Sequence, residues 1–257
     1  MSVPADSNGI IPDWLTTALR EAGAIYHARV TSIQSGPVGH VGLTGQLRRL
    51  RIRYDKAESG APSSLVLTPD QRRVVLIQNW ESFLGKLSIP VTEEIVSAGD
   101  LCARYLSAVS VSMYTQSPRT LIHHDVQGDN LLVAGDGEPS LAFVDWQLTT
   151  AARPVVDLAD FLVRHLDTSE RRRDEDRLLG IYHSVLTERG VADYPLEQCR
   201  DDYAMALLLP ASRLASAVGF HPGLTATPDG FWNVVFPRYA RALTDLGVSE
   251  LLQQHYG

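Results

Sequence analysis

The sequence predicts an α+β fold with a small β-rich N-terminal part, residues 1–91, and a larger helical C-terminal part, residues 92–257. Three observations lead to this prediction. Polar and apolar residues alternate in strand fashion in the first third of the chain, behind one leading helix. From Thr92 onward, apolar residues recur at helical spacing. A short run of strand-like segments within 121–147 interrupts the helical part.

The N-terminal part begins with a predicted helix over 13–24, which opens on a capping-type Asp13 and ends near Gly23. Segments bounded by Gly- and Pro-containing turns follow, and they predict an antiparallel meander of three strands: 26–33, 46–54 and 63–67. The stretch 74–77 favours a further strand, with a helix starting at about Trp80.

The C-terminal part opens with a helix whose apolar stripe is marked by Ile95, Cys102, Tyr105, Leu106, Val109 and Met113. Four more helices are predicted, over 156–165, 169–189, 196–217 and 229–246. Between them lie three short strand-like segments, and Asp136-Gly137 is a hairpin turn signal between the last two: 120–125, 130–135 and 141–146.

Composition bounds the function. The chain is 44% hydrophobic and 21% charged, with a net charge of −7, which argues against nucleic acid or a membrane as its main partner. Cys102 and Cys199 lie outside any metal-type spacing and indicate a reducing compartment. No signal-peptide pattern or apolar run of roughly 18 residues is evident. We therefore expect a cytoplasmic protein whose main partner is neither nucleic acid nor a membrane.

Three oxygen-bearing side chains stand at the ends of the strand-like segments. Asp125 ends the first, Asn130 begins the second and Asp145 ends the third, so the three are expected to converge. Asn and Asp supply the hard oxygen ligands that Mg²⁺ takes, and Asp125 would remain free to accept a proton. Such a set suits phosphoryl transfer. Taken singly, each residue could instead serve as a turn or strand cap.

The segment HHDVQGDNLL…FVDWQ resembles the catalytic segment of the aminoglycoside phosphotransferase and choline kinase group of the protein-kinase-like fold. His123, Asp125, Asn130 and Asp145 occupy the positions of that pattern. The DWQ triplet and the following RPVVDLADFL are most similar to the branch of ecdysteroid-kinase-like bacterial phosphotransferases. The resemblance implies a two-lobe fold, with a truncated antiparallel β lobe and a helical lobe, that uses ATP and Mg²⁺.

The resemblance also implies roles for single residues. Asp125 would be the catalytic base, Asn130 and Asp145 would hold Mg²⁺, and His123 would brace the loop. Asp157 would anchor the loop from the following helix, although an Asp at that place could equally be a helix N-cap. His124 stands where the pattern usually has Gly, and it would be either an extra acid–base group or merely packed.

Further site candidates are weaker. Gly36, Gly39 and Gly42 could cover phosphates with backbone N–H groups, or form an ordinary hairpin turn. Trp80, Trp146 and Trp232, with Phe83, could line a substrate pocket or fill the core.

The chain departs from the pattern in its nucleotide-binding half. Thr68 stands where a phosphate-binding Lys is expected, and the two lysines of the chain, Lys56 and Lys86, are not obvious replacements. About 25 residues, 68–92, replace a Glu-bearing helix, two strands and the adenine hinge.

Two enzymatic functions follow from these observations. The first is ATP- and Mg²⁺-dependent phosphoryl transfer to a hydroxyl of a small molecule. The second is a repurposed kinase-fold enzyme of specialised metabolism that performs cyclisation, dehydration or elimination by acid–base catalysis without ATP. A third reading is a non-catalytic pseudokinase that binds a partner.

Overall fold

The structure is a computed structural model that describes residues 11–21, 24–37, 48–67, 71–133 and 141–257. The chain divides into two compact units, Met1–Gln71 and Arg72–Gly257. The first unit contains a small antiparallel sheet and the second is mainly helical, so the described residues form a mixed helix and strand structure.

The described residues of the first unit form one helix and three strands. Helix α1, Pro12–Glu21, precedes an antiparallel sheet in the order β1-β2-β3, which confirms the predicted meander. The strands are β1 Val30–Pro37, β2 Arg48–Tyr54 and β3 Ser64–Leu67. Apolar side chains of the helix and of the strands form a core of their own: Leu15, Leu19, Ile25, Val30, Leu50 and Ile52.

Helix α2, Gln71–Leu84, corrects the prediction of a strand over 74–77. Leu76, Trp80 and Phe83 recur at intervals of four and three residues, which places them on one face of a helix. Leu76 and Phe83 are buried in the core of the second unit, and the Trp80 and Phe83 rings lie 5.5 Å apart. Burial of this face overrides the β-branched residues that suggested a strand.

The second unit is built around helix α3, Glu93–Thr115, whose N-cap is Thr92 and whose predicted apolar stripe is buried. Helix α3 packs against four later helices of this unit. The helices after α3 are α4 Val156–His165, α5 Thr168–Glu188, α6 Leu196–Ala206, α7 Leu208–Phe220, α8 Trp232–Asp245 and α9 Val248–Tyr256. The single predicted helix over 196–217 is therefore two, and α9 was not predicted. Pro210 has no N–H to donate to Ala206, which accounts for the break.

Two small antiparallel pairs of strands interrupt the helices. Strand β4, Thr120–Ile122, pairs with β7, Thr150–Ala152, which was not predicted. Strand β5, Leu131–Val133, pairs with β6, Leu141–Phe143, as the hairpin pattern predicted. The turn between β5 and β6 lies outside the described residues.

One helical run among the described residues, Leu196–Phe220, is long and apolar enough to cross a membrane by length and composition, with a mean hydropathy of 1.3. The sequence analysis did not identify it. In the structure, 78% of the most apolar part of this run is buried inside the protein, and core helices also meet the criterion of length and composition.

Candidate functional site

The candidate site is formed by the 123–130 loop, which connects β4 to β5, and by the residues that hold it. The backbone amides of His123 and His124 donate to the two carboxylate oxygens of Asp157, at 2.6 and 2.8 Å. Asp157 lies in the first turn of α4, whose N-cap is Val155 without a side-chain cap. The Asp157 carboxylate therefore serves the loop and is not an N-cap of its own helix.

Burial acts on the charge of Asp157. Desolvation raises the pKa of this carboxyl, and the two loop amides only partly oppose the effect. The nearby carboxylate of Asp160 raises it further. Asp157 is thus a hydrogen-bond acceptor held in a place that is unfavourable for a charge.

Asp125 and Asn130 are brought together within the loop. The Asn130 amide nitrogen donates to the backbone carbonyl of Asp125 at 2.9 Å and to its carboxylate Oδ2 at 3.1 Å. Gln127 lies at 3.4 Å from the same Oδ2. Asn130 is buried, and its carbonyl Oδ1 accepts no hydrogen bond from the part of the chain that the structure describes. The lone pairs of Asn130 Oδ1 are therefore available to interact with another group.

Asp145 lies two residues after the end of β6 and has a left-handed backbone with φ 64°. Its neighbour Val144 donates its amide to the Asn130 carbonyl at 3.0 Å, so Asp145 and Asn130 lie at adjacent points of the strand pair. The Asp145 side chain is exposed, and its Oδ2 accepts from Gln147 at 3.3 Å.

The donor set fits a hard cation in its chemistry. Asn130 offers an amide oxygen and Asp145 a carboxylate, ligands that Mg²⁺ combines with waters and phosphates. Among the described residues, no group of three or more His, Cys, Asp or Glu is arranged to hold a metal ion. A cation here would rely on these two ligands together with solvent and substrate.

His124 has a backbone φ of 67°, which is uncommon for a residue with a side chain. This conformation explains why Gly is usual at this position of the resembling pattern. The His124 ring nitrogen Nε2 lies 2.8 Å from the Tyr114 hydroxyl, with the two rings edge to face. Its backbone carbonyl accepts from the Arg213 guanidinium.

Asp160 is a buried carboxylate that the sequence analysis missed. It accepts from Arg213 at 2.6 Å, from Arg164 at 3.1 Å and from the Tyr239 hydroxyl. Burial by itself would raise the pKa of Asp160, but the two arginines and the tyrosine together lower it. The available signal was its position three residues after Asp157, which places both carboxylates on one face of α4.

His123 braces the end of the strands. Its Nε2 lies 2.8 Å from the Val144 carbonyl, which can only accept, so this nitrogen donates. The ring centroid lies 4.7 Å from that of Trp146, and its buried Nδ1 has no hydrogen-bond partner among the described residues. His123 is thus packed, without access to a reacting group through Nδ1.

The three tryptophans lie in different surroundings. Trp146 is 48% exposed and stands beside the site, where it contacts His123. Trp80 packs on α3 at Gly99, where an added Cβ would fall 2.3 Å from the indole. Trp232 is buried in the helical core and donates its indole N–H to the Lys86 carbonyl at 2.9 Å. Phe83 is fully buried in the same core.

The residues expected near phosphates are only partly described. Gly36 pairs with Arg49 in the sheet of the first unit, whereas Gly39, Gly42 and Thr68 lie outside the described residues. The Lys86 ammonium donates to three carbonyls at the end of α7, those of Val218, Gly219 and His221, at 2.7, 3.0 and 2.8 Å. Lys86 is therefore engaged as a helix cap.

A cavity of about 10 Å³, room for a single water, lies behind the loop. Its walls combine polar groups of the loop and of its anchors with apolar side chains of α4 and α7: His124, Val156, Asp157, Asp160, Leu209, Pro210 and Arg213. The anchoring side chains thus line a space that admits little water.

Comparison with known proteins gives limited matches. Residues 93–220, just under half of the chain, match the model of the DUF1679 family, whose description is "Uncharacterized oxidoreductase dhs-27". A search of the curated proteins found no match. Among solved structures, the chain is similar to an ethanolamine kinase of Plasmodium vivax, with 12% identity, a TM-score of 0.31, and coverage of 91% of this chain and 87% of that one.

Proposed function

We propose that this protein is a small-molecule enzyme of the aminoglycoside phosphotransferase and choline kinase-like group, nearest the ecdysteroid-kinase-like branch, and that it transfers a phosphoryl group from ATP to a hydroxyl. One observation carries the proposal. The Asp125 carboxylate lies 3.1 Å from the Asn130 amide, on a loop whose amides are bonded to Asp157. Phosphoryl transfer requires a base that is held in position beside a ligand for the metal ion, and the side-chain amide of Asn130 is a ligand of that kind.

Each side chain then has a stated task. Asp125 orients the substrate hydroxyl and accepts its proton. Asn130 and Asp145 would hold Mg²⁺, which supplies positive charge against the phosphates when bound. Lys86 is left without a role in phosphate binding, because its ammonium is engaged at the end of α7.

The test is ligand binding followed by melting. Saturation with Mg-ATP at 100 times its Kd should stabilise the protein by about 2.7 kcal/mol. The shift should disappear with EDTA and weaken strongly in Asp145→Asn, whereas Asp129→Asn, an exposed carboxylate of the same loop, should retain it. NADH and NADPH belong in the same panel because of the description of the matching family. A shift with either of these and none with millimolar Mg-ATP would overturn phosphoryl transfer.

A second function is favoured by two observations. Helix α2 starts four residues after β3 ends, where the resembling pattern has further elements of the nucleotide site. The ring of His124, beside Asp125, is hydrogen bonded to Tyr114. Asp125 and His124 would then carry out proton transfer in a cyclisation, dehydration or elimination. Turnover that is unaffected by EDTA and lost in Asp125→Asn would favour this function over the first.

A further inference from the structure

The backbone at His124 needs support from its surroundings. A side chain at φ 67° is disfavoured, and such a conformation persists where neighbouring contacts over-determine it. His124 immediately precedes Asp125, so the direction in which the Asp125 carboxylate points depends on this conformation. The groups that bond the peptide units on either side of His124 therefore control the site.

Two groups bond this part of the backbone from opposite sides. Asp157 accepts the amides of His123 and His124, and Arg213 donates to the carbonyl of His124. Arg213 in turn donates to Asp160 at 2.6 Å. Asp157 and Asp160 lie one turn apart on α4, so this helix supplies one contact directly and orients the group that makes the other.

We propose that Arg213 is a positioning residue for the loop: it holds the His124 carbonyl, fixes the left-handed conformation and thereby sets the direction of the Asp125 carboxylate. The role as positioning residue in catalysis rests on the proposed function. The claim that Arg213 holds the loop does not rest on the proposed function, because it follows from the contacts alone.

The surroundings of Arg213 suit this role. Its side chain is 21% exposed and that of Asp160 5%, so the ion pair between α7 and α4 is largely shielded from solvent. The adjacent cavity has room for about one water, which limits solvent competition for the His124 carbonyl. The guanidinium fork can bond a carbonyl and a carboxylate at once, which a single ammonium cannot do with the same geometry.

The first test is amide hydrogen exchange in the 123–130 loop of the full chain. In Arg213→Met, exchange of the His123 and His124 amides should become about tenfold faster, as expected for a lost bond to a charged group. Exchange in α3 should not change. Tyr239→Phe is the matched control, since it also removes a hydrogen bond to Asp160 but does not touch the loop. If Arg213→Met does not fold, Arg213→Lys replaces it.

The second test separates positioning from general support of the fold. Glycine adopts a positive φ without help, so in a His124→Gly background the Arg213→Met change should accelerate loop exchange much less than in the native background. Equal acceleration in both backgrounds, no acceleration in Arg213→Met, or the same acceleration in Tyr239→Phe would each overturn the proposal.

A third readout addresses catalysis. If the protein transfers phosphoryl groups as proposed, Arg213→Met should lower kcat while the KM for ATP stays unchanged, because the nucleotide makes no contact that the substitution removes. An unchanged kcat together with accelerated loop exchange would overturn the catalytic role and leave the hold on the loop intact. Absence of ATP turnover in the native enzyme would count against the proposed function alone.

Discussion

At the residue scale, the site depends on polar side chains that form hydrogen bonds to the loop. Asp157 accepts hydrogen bonds from two loop amides, and Arg213 donates to a loop carbonyl. Asn130 donates to both the backbone carbonyl and the carboxylate of Asp125. These bonds replace the strand pairing that the loop cannot make. The loop is thus held by three side chains, and it presents the Asp125 carboxylate beside Asn130.

The first prediction at this scale concerns the base. Asp125→Asn keeps the shape of the side chain and its contact with Asn130 but cannot accept a proton, so kcat should fall by about 10²- to 10⁴-fold. Steady-state kinetics and a melting curve on the same sample measure the effect. Asp129→Asn is the control, because Asp129 is exposed in the same loop. Full activity in Asp125→Asn would remove Asp125 from the chemistry under both candidate functions.

The second prediction concerns the anchor. Asp157→Ala removes the acceptor of two part-buried amides, each worth about 1–3 kcal/mol when left unsatisfied, so the free energy of unfolding should fall by about 2–5 kcal/mol. Denaturant unfolding measures it. Asp229→Ala, in an exposed turn, is the comparison. A change of under about 0.5 kcal/mol in Asp157→Ala, within the range of surface substitutions, would contradict the anchor.

The sequence predicted some contacts of this site and not others. The spacing of Asp125 and Asn130 predicted their approach because five residues of a tight loop allow few other arrangements. Asp157 left two roles open, since its type suits both a cap and an anchor. The contacts of Arg213 could not be predicted, because its partners Asp160 and His124 lie 53 and 89 positions away. Only packing of α7 on the rest of the unit creates them.

At the scale of elements, charged side chains tie helices together: one caps a helix end, and another joins three helices near their middles. Lys86, which follows α2, donates to the last carbonyls of α7, and Asp160 connects α4 with α7 and α8 through Arg213 and Tyr239. A helix ends in carbonyls without partners and a partial negative charge, which an ammonium satisfies. The strand predicted over 74–77 was wrong because the local sequence pattern did not decide the structure there. The segment is part of α2, and burial of this helix against the core determines its conformation.

The prediction for α7 follows from its cap. Lys86→Met keeps the apolar stem and removes the ammonium from three carbonyls, so the free energy of unfolding should fall by about 1–2 kcal/mol. Urea unfolding measures the change. Lys56→Met is the matched control, as Lys56 is the other lysine of the chain and is exposed in the first unit. Equal effects of the two substitutions would contradict a capping role for Lys86.

The prediction for α4 is a dependence on pH. The folded-state pKa of Asp160 is lowered, so its stabilising contribution is present above the unfolded value of about 3.9 and is lost as the pH falls through the folded value. At neutral pH, Asp160→Asn should destabilise by about 3–5 kcal/mol, because two arginines lose a buried partner. The difference from the native protein should shrink below about pH 4. A difference independent of pH from 7 to 3 would contradict this assignment.

At the scale of the whole molecule, the described residues form two apolar cores, one within each unit. The small one belongs to the sheet and α1, and the large one surrounds α3 and includes α2. The division after Gln71 lies 20 residues before the predicted boundary at 91, since α2 buries its apolar face in the large core. Periodicity identified α3 as a core helix because one stripe of it, from Ile95 to Met113, is apolar over about five turns.

The last prediction tests that α3 is the centre of the large core. Leu106 is fully buried in the middle of α3, and Leu106→Ala should lower the free energy of unfolding by about 2–5 kcal/mol through lost burial and the cavity left behind. Val111→Ala on the same helix is the control, since Val111 is 61% exposed and its truncation should change stability by about 0.5 kcal/mol or less. Both changes are measured by chemical denaturation, followed by the tryptophan signal of the second unit. Three of the four tryptophans, Trp80, Trp146 and Trp232, lie in that unit.

The end of α3 offers a second measurement. The helix ends at Thr115, and the Met113 carbonyl accepts the amide of Arg153, next to β7, so a loosened α3 should also speed amide exchange at Arg153. Comparable losses of stability for the two substitutions would mean that the stripe does not face the core.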